Sequence, residues 1–317
     1  MRVVFMGTPD FAVSTLDAIH HSEHELVGVV TVPDKPAGRG LKVQSSKVKE
    51  YAVEMGIPVL QPEKLKDTLF IETLKQWNAD VFVVVAFRML PTEVYSIPPK
   101  GTFNVHASLL PQYRGAAPIH WAIMNGETKT GITTFFLNNE IDCGDIILQK
   151  ETDIQPCETT GELYNRLKMT GAETALETLA LIEKGNLMLS PQSSQIDEPL
   201  LPAPKIHRED AFINWNAPAK EIYNKIRGLA PYPGAVTFFT NREGKAVSVK
   251  IFEVEILHEK SAEKAGKIDT DNKTFLHVST ADFKISIHNL QMEGKKRMNT
   301  DLFLQGNKIE NYTIFKI

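Results

Sequence analysis

The chain has 317 residues, of which 42% are hydrophobic and 23% charged, values that are ordinary for a globular protein. A net charge of −4 argues against strong non-specific binding to nucleic acid, and two cysteines exclude a disulfide framework. The apolar run at the N-terminus is too short for a secretion signal, so we expect a reducing, cytoplasmic location.

Strand-like and helix-like segments alternate through the first part of the chain. The pattern predicts strands at 2–6, 26–32, 57–62 and 80–87, and helices at 10–21, 46–55 and 68–77. The run at 80–87 is continuously apolar, as in a strand covered on both faces. This alternation predicts an α/β fold with a doubly wound, Rossmann-like, mainly parallel sheet, whose ligands bind beyond the carboxyl ends of the strands.

Later segments predict two domains. Further strands at 130–137 and 144–154 and a helix at 159–184 complete a first domain over residues 1–189. Residues 190–206 are rich in proline and lack periodicity, which is typical of a linker. A helix at 217–229 and several short strands then predict a small OB-like β-barrel over residues 207–317. This last region carries a mild basic excess although the whole chain is acidic.

The first strand is followed by Gly7, but the second and third glycines of a dinucleotide-binding turn are absent. Binding of a nicotinamide or flavin dinucleotide is therefore poorly supported, and a dehydrogenase is disfavoured.

An amide and an imidazole stand together at the end of a hydrophobic segment. Asn104 and His106 are two residues apart, so in a strand both project to the same side. Such a pair can bind a carbonyl oxygen and stabilise the charge that develops on it. Taken by themselves, the two residues favour an ordinary structural role.

A carboxylate on a neighbouring loop changes that balance. The stretch "NNEIDCGDI" follows an apolar strand and carries Asp142 and Asp145 around a glycine. A carboxylate there could orient His106 and hold it in its charged form. Asn, His and Asp would make an acyl-transfer site without a Ser or Cys nucleophile, so the attacking group would come from the substrate, for example as an amine.

The stretch "FNVHASLLPQYRGAAPIHWAI", followed downstream by "IDCGDI", resembles the folate-dependent formyltransferase family, whose signature is N-x-H-x-S-L-L-P with a later D-x-G. The resemblance covers nearly the whole chain. It implies that Asn104, His106 and Asp142 are catalytic and that 10-formyltetrahydrofolate is the donor, with no metal. It also implies that folate lies against Ser108, Leu109, Leu110, Pro111, Phe87, Arg88, Met89 and Leu90. Relatives often carry Tyr-Gly where this chain has Phe87 and Arg88.

Three further features are similar to the branch of this family that formylates initiator methionyl-tRNA. These are the long "RGAAPIHWAIMNGETKTGIT" block, the loop "PDKPAGRGLK", and the C-terminal stretches "INWNAPAKEIYNKIRGLAPYPGA" and "LQMEGKKRMNTDLFLQG". The similarity implies that the tRNA contacts Arg39, Lys35, Lys42, Lys205, Lys295 and Lys296, and that residues 207–317 form a tRNA-binding domain.

The resemblance therefore implies a monomeric cytoplasmic enzyme that formylates the α-amino group of initiator methionyl-tRNA and supports translation initiation. A sugar-amine N-formyltransferase using the same donor is the alternative, but it would normally lack the "PDKPAGRG" loop and this C-terminal block. A non-catalytic RNA-binding module is disfavoured because all three catalytic residue types are present.

Overall fold

The computed structural model describes residues 1–37, 42–195, 199–241, 246–261, 263–309 and 312–314. Contacts divide the chain into two units. The first comprises 1–118, 129–153 and 164–203, and the second comprises 119–128, 154–163 and 204–317. The domain boundaries predicted from the sequence, at 189 and 206, stay predictions.

A seven-stranded sheet organises the first unit. Its strands are β1 (Arg2–Gly7), β2 (Glu25–Val30), β5 (Val59–Leu60), β6 (Val81–Val85), β7 (Thr102–His106), β8 (Lys129–Phe136) and β9 (Ile146–Asp153). They lie in the order β5-β2-β1-β6-β7-β8-β9. The first five are parallel, whereas β8 runs antiparallel to β7 and β9 antiparallel to β8. The predicted α/β class with a largely parallel sheet is thus confirmed.

The helices of this part of the chain are α1 (Asp10–His20), α2 (Lys47–Glu54), α3 (Thr68–Gln76), α4 (Thr92–Tyr95), α5 (Pro118–Met124) and α6 (Thr160–Lys184). Side-chain caps fix where two of them begin. Ser46 Oγ accepts from Lys49 N at 3.0 Å, and Asp67 Oδ1 accepts from Phe70 N at 3.0 Å. Each cap satisfies an amide that the first turn of a helix leaves without a partner.

The core of the first unit forms because β6 is apolar at every position. All five of its residues are buried, as a strand with both faces covered requires. Gly28 on β2 leaves room for the Trp77 ring, since a Cβ there would lie 2.5 Å from that ring. The parallel pairing of β6 and β7 sets their carboxyl ends side by side, with Val85 opposite Val105.

The loop "PDKPAGRGLK" begins and ends in short strands. β3 (Lys35–Ala37) and β4 (Lys42–Gln44) pair antiparallel as a hairpin that the sequence patterns did not predict. At its base, Asp34 accepts from Lys49 Nζ at 2.5 Å and from Gln61 Nε2 at 2.8 Å. The Lys49 hydrogen bond, more than any other contact, lowers the pKa of the Asp34 carboxyl.

The second unit is built on antiparallel strands. They are β10 (Ala235–Asn241), β11 (Ala246–Lys260), β12 (Ile268–Thr270), β13 (Leu276–Ser279), β14 (Phe283–Met292), β15 (Met298–Asn299) and β16 (Tyr312–Ile314). Six lie in the order β12-β13-β14-β11-β10-β16, and β15 pairs with β14. Helices α7 (Ala219–Leu229) and α8 (Thr300–Gly306) contribute Ile222, Ile226 and Phe303 to its apolar core.

The second unit also holds chain segments from before residue 204. Arg227, 7% exposed, donates from Nη1 to the carbonyl of Glu158 at 3.0 Å. A Cβ at Gly126 would lie 2.7 Å from the amide nitrogen of Asn224. Segments 119–128 and 154–163 are therefore integral to the packing of this unit.

Candidate active site

His106 is the last residue of β7 and is 6% exposed. Its Nε2 lies 2.9 Å from the carbonyl oxygen of Tyr113, and because a carbonyl only accepts, Nε2 carries the hydrogen of this bond. Nδ1 faces Asp142 Oδ2 at 3.8 Å, which is an ion-pair distance rather than a hydrogen bond. One ring nitrogen is thus anchored to the backbone, while the other faces the carboxylate.

Asn104 lies two residues earlier on β7 and is half-buried. The alternation of a strand directs its side chain to the same side of the sheet as that of His106. The amide and the imidazole are therefore presented together at the carboxyl end of a central strand, which is where open α/β sheets bind ligands.

Asp142 is held in a strained backbone conformation with φ at +54°. Its carboxylate accepts from Gly115 N at 3.0 Å, and its side chain is 15% exposed. Asp145, the other acidic residue of this loop, is exposed. The geometry therefore brings Asp142, and not Asp145, into contact with His106.

Sterics require a glycine at the last position of the D-x-G motif. A Cβ on Gly144 would lie 1.6 Å from the carbonyl oxygen of Phe136, well inside any allowed contact. The loop can return this close to the end of β8 only because residue 144 has no side chain. That close return places Asp142 beside β7.

The "SLLP" segment forms a tightly bonded turn. Ser108 is fully buried and donates from Oγ to Gln112 O at 2.7 Å. Thr133 on β8 donates to Ser108 O at 2.6 Å and accepts from Leu110 N at 3.1 Å. Leu110 packs in the core beside Phe135, whereas Leu109 is partly exposed. Pro111 is buried. Contact of these four residues with folate stays a prediction.

The loop 86–90 follows β6 and borders a groove of about 510 Å³. Met89 and Leu90 line it, together with Asn139 from the loop that carries Asp142. Asn139 Oδ1 accepts from the Tyr95 hydroxyl at 2.6 Å. Volumes of this size are typical of small-molecule sites.

Phe87 and Arg88 sit at the start of the same loop and stack on each other, with 5.3 Å from the guanidinium carbon to the ring centroid. Arg88 donates to the carbonyl oxygens of Pro62 and Glu63 at 2.8 and 3.1 Å. Burial lowers the pKa of its guanidinium. Its side chain is therefore committed to the backbone of the neighbouring loop.

Four of the six cations predicted to contact tRNA lie on the surface. Lys35, Lys205, Lys295 and Lys296 are exposed. Lys42 begins β4, and Arg39 lies outside the described residues.

Sequence reasoning missed two kinds of site residue. The Tyr113 carbonyl and the Gly115 amide act through the backbone, so their residue types carry no signal. Arg114 and Gln192 join across 78 residues of chain, with Arg114 Nη2 donating to Gln192 Oε1 at 2.6 Å. Gln192 falls in the segment that its composition assigned to a linker.

Two family models match the chain. "Formyl transferase" matches residues 1–179, and "Formyl transferase, C-terminal domain" matches residues 205–308. The chain belongs to the formyl transferase family. Membership of this family, predicted from the stretch "FNVHASLLP", is thereby confirmed.

Curated members of the formyl transferase family match over nearly their whole length. The methionyl-tRNA formyltransferase of Bacteroides fragilis is 50% identical over 307 residues, covering 96% of this chain and 95% of that protein. The methionyl-tRNA formyltransferase of Clostridioides difficile is 45% identical over 311 residues, covering 98% of both.

Two solved structures show the same fold at low identity. WlaRD, a sugar 3N-formyl transferase, has a TM-score of 0.64 at 20% identity and covers 93% of this chain and 99% of its own. HypX from Aquifex aeolicus in complex with tetrahydrofolic acid has a TM-score of 0.63 at 18% identity. The match covers this whole chain and 51% of HypX, so the chain spans about half the length of that protein.

No helix among the described residues is long and apolar enough to span a bilayer.

Proposed function

We propose that the protein transfers the formyl group of 10-formyltetrahydrofolate to the α-amino group of initiator methionyl-tRNA and so supports translation initiation. The observation that carries this function is the 50% identity to a methionyl-tRNA formyltransferase across both family domains. That match covers 96% of this chain and 95% of the relative, which supports a shared acceptor as well as a shared donor.

The donor binds in the groove beside loop 86–90. Apolar side chains such as Met89 and Leu90, with the polar edge of Asn139, suit a flat ring system with hydrogen-bonding edges. HypX binds tetrahydrofolic acid on the same fold. When bound, the folate would supply the formyl group: the bond between the formyl carbon and its N10 would break, and N10 would take up the proton that the amine loses. No metal is required.

Asn104 and His106 act on the formyl oxygen. As the amine attacks, negative charge develops on that oxygen, and the Asn104 amide donates a hydrogen bond to it. His106 donates through Nδ1 when the ring carries both hydrogens, because its Nε2–H stays on the Tyr113 carbonyl. Asp142 orients the imidazole and helps to remove the proton of the attacking amine. The Tyr113 carbonyl keeps the ring from rotating, since it engages Nε2 at 2.9 Å.

The acceptor tRNA binds through Arg39, Lys35, Lys42, Lys205, Lys295 and Lys296. Lys35 and Lys42 belong to the strands β3 and β4, and Lys205, Lys295 and Lys296 are exposed residues of the second unit, whereas Arg39 lies outside the described residues. Exposed lysines and arginines neutralise phosphates and release counterions on binding. We assign catalysis to residues 1–189 and tRNA binding to 207–317, with a Rossmann-like sheet in the first region and an OB-like barrel in the second.

A parallel assay separates this function from the sugar alternative. Purified protein receives 10-formyltetrahydrofolate with either charged methionyl-tRNA or a nucleotide-linked amino sugar, and mass spectrometry detects the formylated product. We expect formyl-methionine released from tRNA and no formylated sugar. Product from the sugar and none from the tRNA would reverse the assignment.

The oligomeric state and location belong to the same proposal. We propose a monomer in the cytoplasm, where initiator tRNA is charged. Light scattering of the purified chain should give a mass near 35.5 kDa.

A further inference from the structure

Gln192 is a buried polar residue at the start of a short 3₁₀ helix, Gln192–Gln195, and is 2% exposed. Its amide nitrogen donates to the carbonyl oxygens of Asp142 at 2.9 Å and Gly144 at 2.8 Å. Its amide oxygen accepts from Arg114 Nε at 3.0 Å and Nη2 at 2.6 Å. Both donors and both lone pairs of this side chain are therefore satisfied.

The amide of Gln192 connects the segment that anchors His106 with the loop that carries Asp142. Arg114 stands between Tyr113, whose carbonyl anchors His106, and Gly115, whose amide donates to Asp142. On the other side, Gln192 binds the backbone of Asp142 itself.

The Asp142 backbone needs such a restraint. Its φ of +54° is rare for a residue with a side chain and costs on the order of 1–3 kcal/mol unless the surroundings enforce it. The Gln192 amide nitrogen bonds the carbonyls of residues 142 and 144, which flank the turn. This contact restrains the backbone from which the Asp142 side chain extends, while the Gly115 amide binds the carboxylate itself.

We propose that Gln192 is a positioning residue of the active site. It couples the turn at Arg114 to the Asp142 loop and so sets the relation between the imidazole and the carboxylate. The inference rests on the proposed formyl transfer to methionyl-tRNA. It extends the site to the segment after α6, which the sequence assigns to a linker.

Two substitutions at residue 192 separate the contact with Arg114 from the contacts with the Asp142 and Gly144 carbonyls. Gln192→Met keeps the length and removes every hydrogen bond. Gln192→Glu keeps an acceptor for Arg114 but has no donor for the Asp142 and Gly144 carbonyls. Ser193→Ala, at an exposed position of the same 3₁₀ helix, is the matched control.

The readouts are kcat, the KM values for methionyl-tRNA and for 10-formyltetrahydrofolate, and the melting temperature. Misplaced catalytic groups lower kcat, so we expect it to fall about 10- to 100-fold in both residue-192 variants. Both KM values should stay within about threefold of wild type, because ground-state binding is not lost. Ser193→Ala should match wild type.

A merely structural role would give a different pattern. The melting temperature would fall, but kcat per folded molecule, assayed well below it, would stay within about twofold of wild type. That result overturns the proposal.

If Gln192→Met does not fold, Arg114→Lys tests the tie from its other end. Lysine keeps the charge but cannot make the two-nitrogen contact with Gln192. The same selective fall in kcat is expected, and an unchanged kcat overturns the proposal. Absence of methionyl-tRNA formylation by wild type and Ser193→Ala would instead overturn the proposed function, and the inference with it.

Discussion

His106 and Asp142, the proposed catalytic pair, differ sharply in burial and hydrogen bonding from the lysines predicted to contact tRNA. His106 is 6% exposed and is bonded to the backbone, and Asp142 accepts from Gly115. The cations Lys205, Lys295 and Lys296 stand exposed. Stabilising charge on one oxygen requires groups fixed in advance, whereas neutralising phosphates requires charges that can reach and adjust. The difference in burial thus matches the two roles proposed for these residues.

The largest effect is expected when either His106 or Asp142 is replaced. We expect His106→Ala and Asp142→Asn to abolish formyl transfer, since losing one such group typically costs about 3 kcal/mol of barrier or more. Single-turnover formylation of methionyl-tRNA measures the effect, and circular dichroism checks the fold. Asp145→Asn, in the same loop but exposed, is the control and should keep wild-type turnover. Near-normal turnover of the His106 variant would refute the assignment.

Gly144→Ala moves the carboxylate without removing it. Its Cβ would lie 1.6 Å from Phe136 O, so the Asp142 loop must shift. A displacement of about 1 Å in a catalytic group can cost roughly 100-fold in rate, and we expect kcat to fall by about that factor. Gly171→Ala is the matched control, because its Cβ would make ordinary contacts at 3.5 Å or more. Equal kcat for the two variants would show that the loop position does not matter.

The predicted tRNA contact is tested at Arg39. Arg39→Ala should raise the KM for methionyl-tRNA by about tenfold, since a charge-assisted phosphate or base contact is lost, while the KM for the folate donor stays unchanged. Lys205→Ala should have a smaller effect that vanishes at high salt. Initial rates at two salt concentrations measure both. A parallel rise in both KM values would point to a folding defect instead.

The smallest expected effect is on stability, at Asp271, an exposed carboxylate that accepts several hydrogen bonds. Asp271 accepts from Lys273 N at 2.8 Å and from Thr274 N and Oγ1 at 2.7 and 2.6 Å, and these bonds lower its pKa. A depressed pKa contributes stability above the ordinary value of 3.8, and this stability is lost as the pH falls below it. Asp271→Asn should therefore lower the melting temperature at pH 7 and have less effect at pH 3.

A calorimetric comparison with Asp301→Asn, on an exposed face of α8, supplies the baseline. A pH-independent difference between wild type and the Asp271 variant would exclude this linkage.

Much of the fold was predictable because its signals are local. Apolar periodicity placed α3 to within one residue, and the continuous run at 80–87 identified the central strand β6. The hairpin β3–β4 was missed because two three-residue strands, one of which contains Pro36, are too short to show an alternating pattern. The closure of the C-terminal strands into a barrel stays a prediction.

The candidate site could be proposed from the sequence where side chains carry it. Asn104 and His106 stood out by residue type and spacing, and the D-x-G signature of the family singled out Asp142, whereas residue type alone does not separate Asp142 from Asp145. The structure adds the left-handed turn at residue 142 and its contact with Gly115, while Asp145 is exposed. Gln192 was hidden because its partners lie 48 to 78 residues away.

Segments 119–128 and 154–163 pack with residues 204–317. This packing limits how the protein can be cut into fragments or recombined with its relatives. The region matched by the C-terminal family model begins at residue 205, but no single cut there yields an intact module. A fragment starting at that point would lose the Glu158 carbonyl that binds the buried Arg227. Exchange of acceptor specificity between relatives would therefore require three coordinated segments to be transplanted together.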